Sequence, residues 1–301
     1  MRVRYDTVLE RFYAALTLCD SLGLRSKIDG GRFGIYRERL GRWIPALMEH
    51  GSANLPAEFR DDVEAHLEQY RAALVEALEF GELVDYLKSC DPKQVRMKLA
   101  HVLGGPELPS DEDAASNQAR NIQFELFFGS GLWKAGLAPA LGPGADIYLQ
   151  VDDQPFHVEC KRVFSEAKLR ERIWAAEGQL RESATTGKDD PAPKGIVAVS
   201  LAKVLNPHDD VISRPDRLTA RAALRLALEA ASASLREDWE RCFAAGQVVG
   251  ILFHGVSTFE NFAEGVLERG QDWVGEIYTP PSAPYVRALR TIVAKTEALA
   301  R

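Results

Sequence analysis

The chain has 301 residues, 46% of them hydrophobic and 27% charged, a balance that suits a globular protein with one large core or two ordinary ones. Its formal net charge of −7 argues against a protein whose whole surface coats nucleic acid, while leaving room for a local basic patch beside a carboxylate site. Cys19, Cys90, Cys160 and Cys242 lie far apart and form no CxxC pair, which fits reduced thiols in a cytoplasmic protein better than a disulfide frame or a zinc knuckle. The N-terminal stretch carries charges at helical spacing without the apolar centre of a signal peptide. No uninterrupted apolar run is long enough to span a bilayer, so no membrane partner is expected.

The first hundred residues read as helical. Val8, Phe12, Ala15, Leu16 and Leu18–Cys19 form a stripe, and a turn at Asp29-Gly30-Gly31 follows. Leu40, Trp43, Ile44 and Leu47 predict a second helix, broken or kinked near Pro45. Phe59, Val63, Leu67, Ala73, Leu74, Ala77 and Leu78 predict a longer one beginning after Pro56. The breaker-rich stretch from Gly104 to Asp111 reads as a linker. It divides an all-helical N-terminal domain, residues 1–108, from a second domain, residues 112–301. The helical domain carries no chemical signature and suits partner binding, homodimerisation or target recognition.

Past the linker, a largely apolar and therefore buried helix runs from about Ala114 to Phe128. A weak strand passes through Leu137–Leu141. Asp146–Val151 alternates, with Ile147, Leu149 and Val151 on one face and Asp146, Tyr148 and Gln150 on the other. The polar turn Asp152–Pro155 joins it to Phe156–Val163 as a hairpin. A helix from Ser165 to Ser183 follows, with Leu169, Ile173, Ala176 and Leu180 on its core face. Then come a buried strand, Gly195–Leu201, a long helix from near Pro215 to a cap at Gly246, and an apolar strand, Val248–Phe253. The order helix, three strands, helix, strand predicts an α/β layer with a mixed sheet.

The chemistry concentrates in one segment. Alternation puts Glu159 and Lys161 on one strand face, and Asp146 opens the partner strand of the hairpin. Charges set among apolar strand residues are costly unless they are paired or bound to metal. Two carboxylates can hold a hard divalent cation, with the Cys160 carbonyl as a third oxygen and waters completing the shell. A lysine beside them can orient an attacking water and stabilise developing charge on a phosphate.

The pattern of Asp146 with Glu159-Cys160-Lys161 resembles the PD-(D/E)xK nuclease superfamily over roughly residues Ala114 to Leu201. That resemblance implies a restriction-endonuclease-like αβββαβ core in which Glu125, on the first core helix, joins Asp146 and Glu159 at the metal. It places Gln179, on the helix after the ExK strand, where some members carry a catalytic glutamine. It implies Mg²⁺ or Mn²⁺ as cofactor, DNA as substrate with RNA as the alternative, and a restriction or anti-phage role. Arg162, Lys168, Arg170 and Arg172 would form a basic rim for the nucleic-acid backbone. Ala145 stands where the name-giving motif has proline. Ser183 stands where the RecB-like subgroup has tyrosine, so membership of that subgroup is not implied.

Simpler readings exist for each residue. Glu159 and Lys161 can be a cross-strand ion pair on a solvated face, Glu125 a surface acid, Gln179 a helix-edge polar residue and His157 a strand histidine bonded to a neighbour. His208-Asp209-Asp210 lacks a second histidine cluster and reads as a loop. A non-catalytic nucleic-acid-binding or scaffold protein keeping the same fold is the rival from another functional class.

Overall fold

The computed structural model describes residues 2–51, 54–113, 115–142, 145–186, 192–206, 217–261, 264–280 and 283–298. His208–Asp210 and the expected helix start at Pro215 lie outside these residues. A short strand β1 (Arg2–Arg4) leads into helices α1 (Tyr5–Ser21), α2 (Arg25–Asp29), α3 (Arg32–His50), α4 (Ala57–Ala65), α5 (Leu67–Gly81), α6 (Val84–Ser89), α7 (Pro92–Val102) and α8 (Gln118–Lys134). Strands β2 (Ala140–Gly142), β3 (Ala145–Val151) and β4 (Gln154–Arg162) precede α9 (Glu166–Thr186), β5 (Lys194–Ser200) and α10 (Ala202–Leu205). Then come α11 (Arg217–Ser234), α12 (Arg236–Ala244), β6 (Val248–Asn261), β7 (Val266–Ile277) and α13 (Tyr285–Ala298). The protein is therefore an α/β protein with a seven-stranded mixed sheet, in the order β1-β7-β6-β5-β4-β3-β2. Among the described residues no helix is long and apolar enough to cross a membrane.

The chain divides into two compact units. The first takes the described residues up to Gln123 and those of Ser257–Gly270; the second takes those within Phe124–Pro207, Leu218–Val256 and Gln271–Arg301. In the first, α1, α3 and α5 pack together around Phe12, Phe33, Tyr36, Trp43 and Phe80, with the Phe33 and Phe80 rings 4.5 Å apart. The third helix runs unbroken through Pro45, because Leu40, Trp43, Ile44 and Leu47 on either side are all buried and hold it in line. The helix expected after Pro56 is instead two, divided at His66.

The stretch from Gly104 to Asp111 is not a free tether. Its carbonyls at Gly104, Pro106 and Glu107 accept hydrogen bonds from the buried side chains of Arg32, Arg120 and Tyr36. Arg120 and Gln123 on α8 are bound to Glu76 and Glu79 of α5, so the first turns of α8 belong to the helical unit.

In the second unit β3 and β4 form the expected antiparallel hairpin. Asp152 and Asp153 both take positive φ, 49° and 61°, the backbone of a tight two-residue turn that Asp tolerates. Strands β4, β5 and β6 are parallel neighbours. Leu169, Ile173, Ala176 and Leu180 of α9 pack on Val197 and Val199 of β5, with Leu224 and Leu228 of α11 and Ile251 and Phe253 of β6 in the same core. Gly195 lets α9 approach, since a Cβ there would come within 2.9 Å of Leu180. The long helix expected to end at Gly246 is two helices parted at Leu235, and Gly246, at φ 84°, follows the second.

Candidate active site

The β4 register decides which side chains face where. His157 pairs with Gly195, Glu159 with Val197 and Lys161 with Val199, all on the α9 face of the sheet. Val158 and Cys160 point to the other face. The β3–β4 ladder ends at Ile147 opposite Val158, and beyond that point the strands separate. In the gap, Asp146 Oδ2 accepts the Cys160 N–H at 2.8 Å. The N–H and C=O of a strand residue share one edge, so the Cys160 carbonyl also faces this gap.

Glu159 is buried, at 4% exposed, and its Oε2 accepts from Lys161 Nζ at 3.0 Å. Burial and the neighbouring Asp146 charge push its carboxyl up to about 6, against the pull of Lys161. Asp146 acts on the Glu159 carboxyl both through its charge and through side-chain hydrogen bonding, each of which raises it. Glu125, on α8, is buried, and its charge together with those of Asp146 and Glu159 adds to burial in raising the Cys160 thiol well above its ordinary range. That thiol is a poor nucleophile and takes no part in the chemistry proposed below.

Asp146, Glu159 and Lys161 are thus brought together at one end of the hairpin, and Glu125 lies within electrostatic reach of Cys160. Gln179 sits on the exposed side of α9, and no hydrogen bond ties it to the set. The basic rim is partly neutralised: Lys168 pairs with Glu171 at 2.6 Å and Arg170 with Asp238 at 2.8 Å. Arg162 lies over the Phe164 ring at 5.3 Å, and Arg172 is half-buried. Tyr148 is a further residue at this site. It shares the Asp146 face and remains half-buried, and the two-residue alternation from Asp146 was the signal that marked it.

Among the described residues no three or more His, Cys, Asp or Glu side chains are placed to hold one metal ion. The donor set still fits a hard divalent cation. Mg²⁺ commonly takes one or two carboxylates with waters in the remaining positions. Here two neighbouring carboxyl groups and a backbone carbonyl share one gap, and Lys161 pairs with one of the carboxyl groups. No family model, curated protein or solved structure matches the chain.

Proposed function

We propose that the chain is a divalent-metal-dependent nuclease that hydrolyses phosphodiester bonds of DNA, built on a restriction-endonuclease-like αβββαβ core formed by α8, β2, β3, β4, α9 and β5. The observation that carries this reading is the placement of Asp146 beside Cys160 and Glu159 where the β3–β4 ladder ends, with Lys161 Nζ 3.0 Å from Glu159 Oε2. Two acids pressed together in a buried gap serve no packing purpose that apolar residues would not serve better. They do suit a site that receives positive charge.

Asp146, Glu159 and the Cys160 carbonyl would hold Mg²⁺ or Mn²⁺. When bound, the ion supplies charge neutralisation at the phosphate and a water acidic enough to attack it. The Cys160 N–H holds Asp146 Oδ2 at 2.8 Å and so fixes the carboxylate at the gap. Glu159 holds the Lys161 ammonium beside the reacting centre, where it hydrogen-bonds the attacking water and offsets charge developing on the phosphate. A cytoplasmic restriction or anti-phage role is the corresponding expectation.

Purified protein incubated with plasmid, linear, single-stranded DNA and RNA, in Mg²⁺, Mn²⁺ or chelator, tests the proposal. Cleavage should need the metal and fall by roughly 10²–10³-fold in Asp146→Ala and Lys161→Ala. Equal behaviour of wild type and both variants would leave a non-catalytic binding protein, and cleavage confined to RNA would move the substrate class.

A further inference from the structure

Tyr148 stands two residues beyond Asp146 on β3 and pairs across the hairpin with His157, which stands two residues before Glu159 on β4. Side chains two apart on a strand lie about 6.6–6.8 Å apart on one face. Asp146 and Glu159 therefore form one row, and Tyr148 and His157 the row directly behind it. His157 is buried, and its ring meets the Tyr148 ring edge-on, with centroids 5.9 Å apart and planes at 69°. Tyr148 itself is half-buried, and its hydroxyl has no hydrogen-bond partner among the described residues.

The burial pattern gives this block a floor and a rim. Glu159 and His157 are buried, whereas Asp146, Tyr148 and Lys161 are each partly open. A phosphodiester approaching the carboxylate pair from the open side passes an aromatic ring already braced by its neighbour. Two of the four rim cations, Lys168 and Arg170, are engaged with Glu171 and Asp238, which lowers their share in attracting the backbone.

We infer that Tyr148 is the nucleotide-contact residue of this site, its ring stacking on a base next to the scissile phosphate, and that the site takes unpaired DNA in preference to duplex. The inference rests on the nuclease reading above. In a duplex both faces of a base are covered by its neighbours. A ring fixed on a strand face reaches a base only where the stack is open. The bracing by His157 limits the entropy lost when the ring is ordered on a base.

Fluorescence anisotropy tests it, with labelled oligothymidylate and a labelled hairpin duplex and with Ca²⁺ replacing Mg²⁺ to hold the complexes without turnover. Wild type should favour the single strand. Tyr148→Ala should lose roughly tenfold in affinity for it, and Tyr148→Phe should keep wild-type affinity. Circular dichroism and thermal melts on both variants establish that they fold. Three outcomes overturn the inference: wild type preferring the duplex, Tyr148→Ala binding like wild type, or Tyr148→Phe failing as badly as alanine, which would make the hydroxyl the contact. Wild type binding neither probe sinks the nuclease reading as well, whereas the first three outcomes leave that reading standing.

Discussion

Glu76 and Glu159 are both 4% exposed, and burial drives both toward the protonated form. Glu76 nonetheless ends below its ordinary range, because Arg120 and Arg32 more than offset the burial. Arg32 Nε reaches one carboxylate oxygen at 2.8 Å, and Arg120 Nε and the Tyr36 hydroxyl reach the other at 2.8 and 3.1 Å. Glu159 ends above its ordinary range, because Asp146 joins burial and Lys161 alone opposes them. One buried carboxylate is closed into a neutralised network; the other is held beside a like charge. The first arrangement is what a fold needs of an internal charge, and the second is what a cation site needs before its cation arrives.

Removing the closed carboxylate should have the larger effect. Glu76→Ala leaves the buried Arg32 guanidinium without its carboxylate and Arg120 with Glu112 at 3.5 Å, and stability should fall by about 3–5 kcal/mol. Urea unfolding of the variant measures this. Arg32→Met placed on the same background should recover part of the loss, because it removes the guanidinium that has lost its carboxylate. If Glu76→Ala unfolds at the wild-type midpoint, the network is not closed as described.

Neutralising the open carboxylate should have the opposite sign. Glu159→Gln removes the repulsion with Asp146 and keeps an acceptor for Lys161. In chelator at neutral pH it should stabilise the protein by about 1–2 kcal/mol, the free-energy equivalent of the raised carboxyl. The same variant should lose hydrolysis. A destabilised Glu159→Gln in chelator would mean that Glu159 is a structural ion-pair partner of Lys161.

The two clusters also differ in how far the sequence displayed them. Glu159, Lys161 and Asp146 were legible because charges interrupt strands whose other positions are apolar, and the period of two assigns their face. Arg32, Glu76 and Arg120 sit on helices, where acids and bases ordinarily mark the solvent side, and nothing in the spacing separates a buried pair from a surface one. The same holds for Gly104–Asp111, whose glycines and prolines do not show that Arg32, Tyr36 and Arg120 hydrogen-bond its carbonyls. The hairpin and the elements from α8 to β5 were legible from periodicity. The second half of β6 and all of β7 were not, because residues 254–277 mix charged and apolar positions without a clean period.

The smallest effect gives the sharpest separation of the two clusters, because it depends on the sign of one titration. Glu159 has a folded-state value of about 6 against an ordinary 4.5. Between those values the folded chain keeps a proton that the unfolded chain has released, so this group's contribution to stability falls as pH rises from about 4.5 to 6. Mg²⁺ must displace that proton to bind. Its stabilising effect should therefore be full above pH 6 and fade as pH drops toward 4.5. Each kcal/mol of binding should appear as about 2–4 °C in the thermal midpoint. Melts with and without saturating Mg²⁺ at pH 7.5 and pH 5 measure it, and taking the difference at each pH cancels carboxyl groups that do not see the ion. Glu159→Gln should abolish the shift at both pH values, while a variant on the closed network, Tyr36→Phe, should leave it intact. A Mg²⁺ shift of equal size at both pH values, or one that survives Glu159→Gln, would place the cation away from the β3–β4 gap.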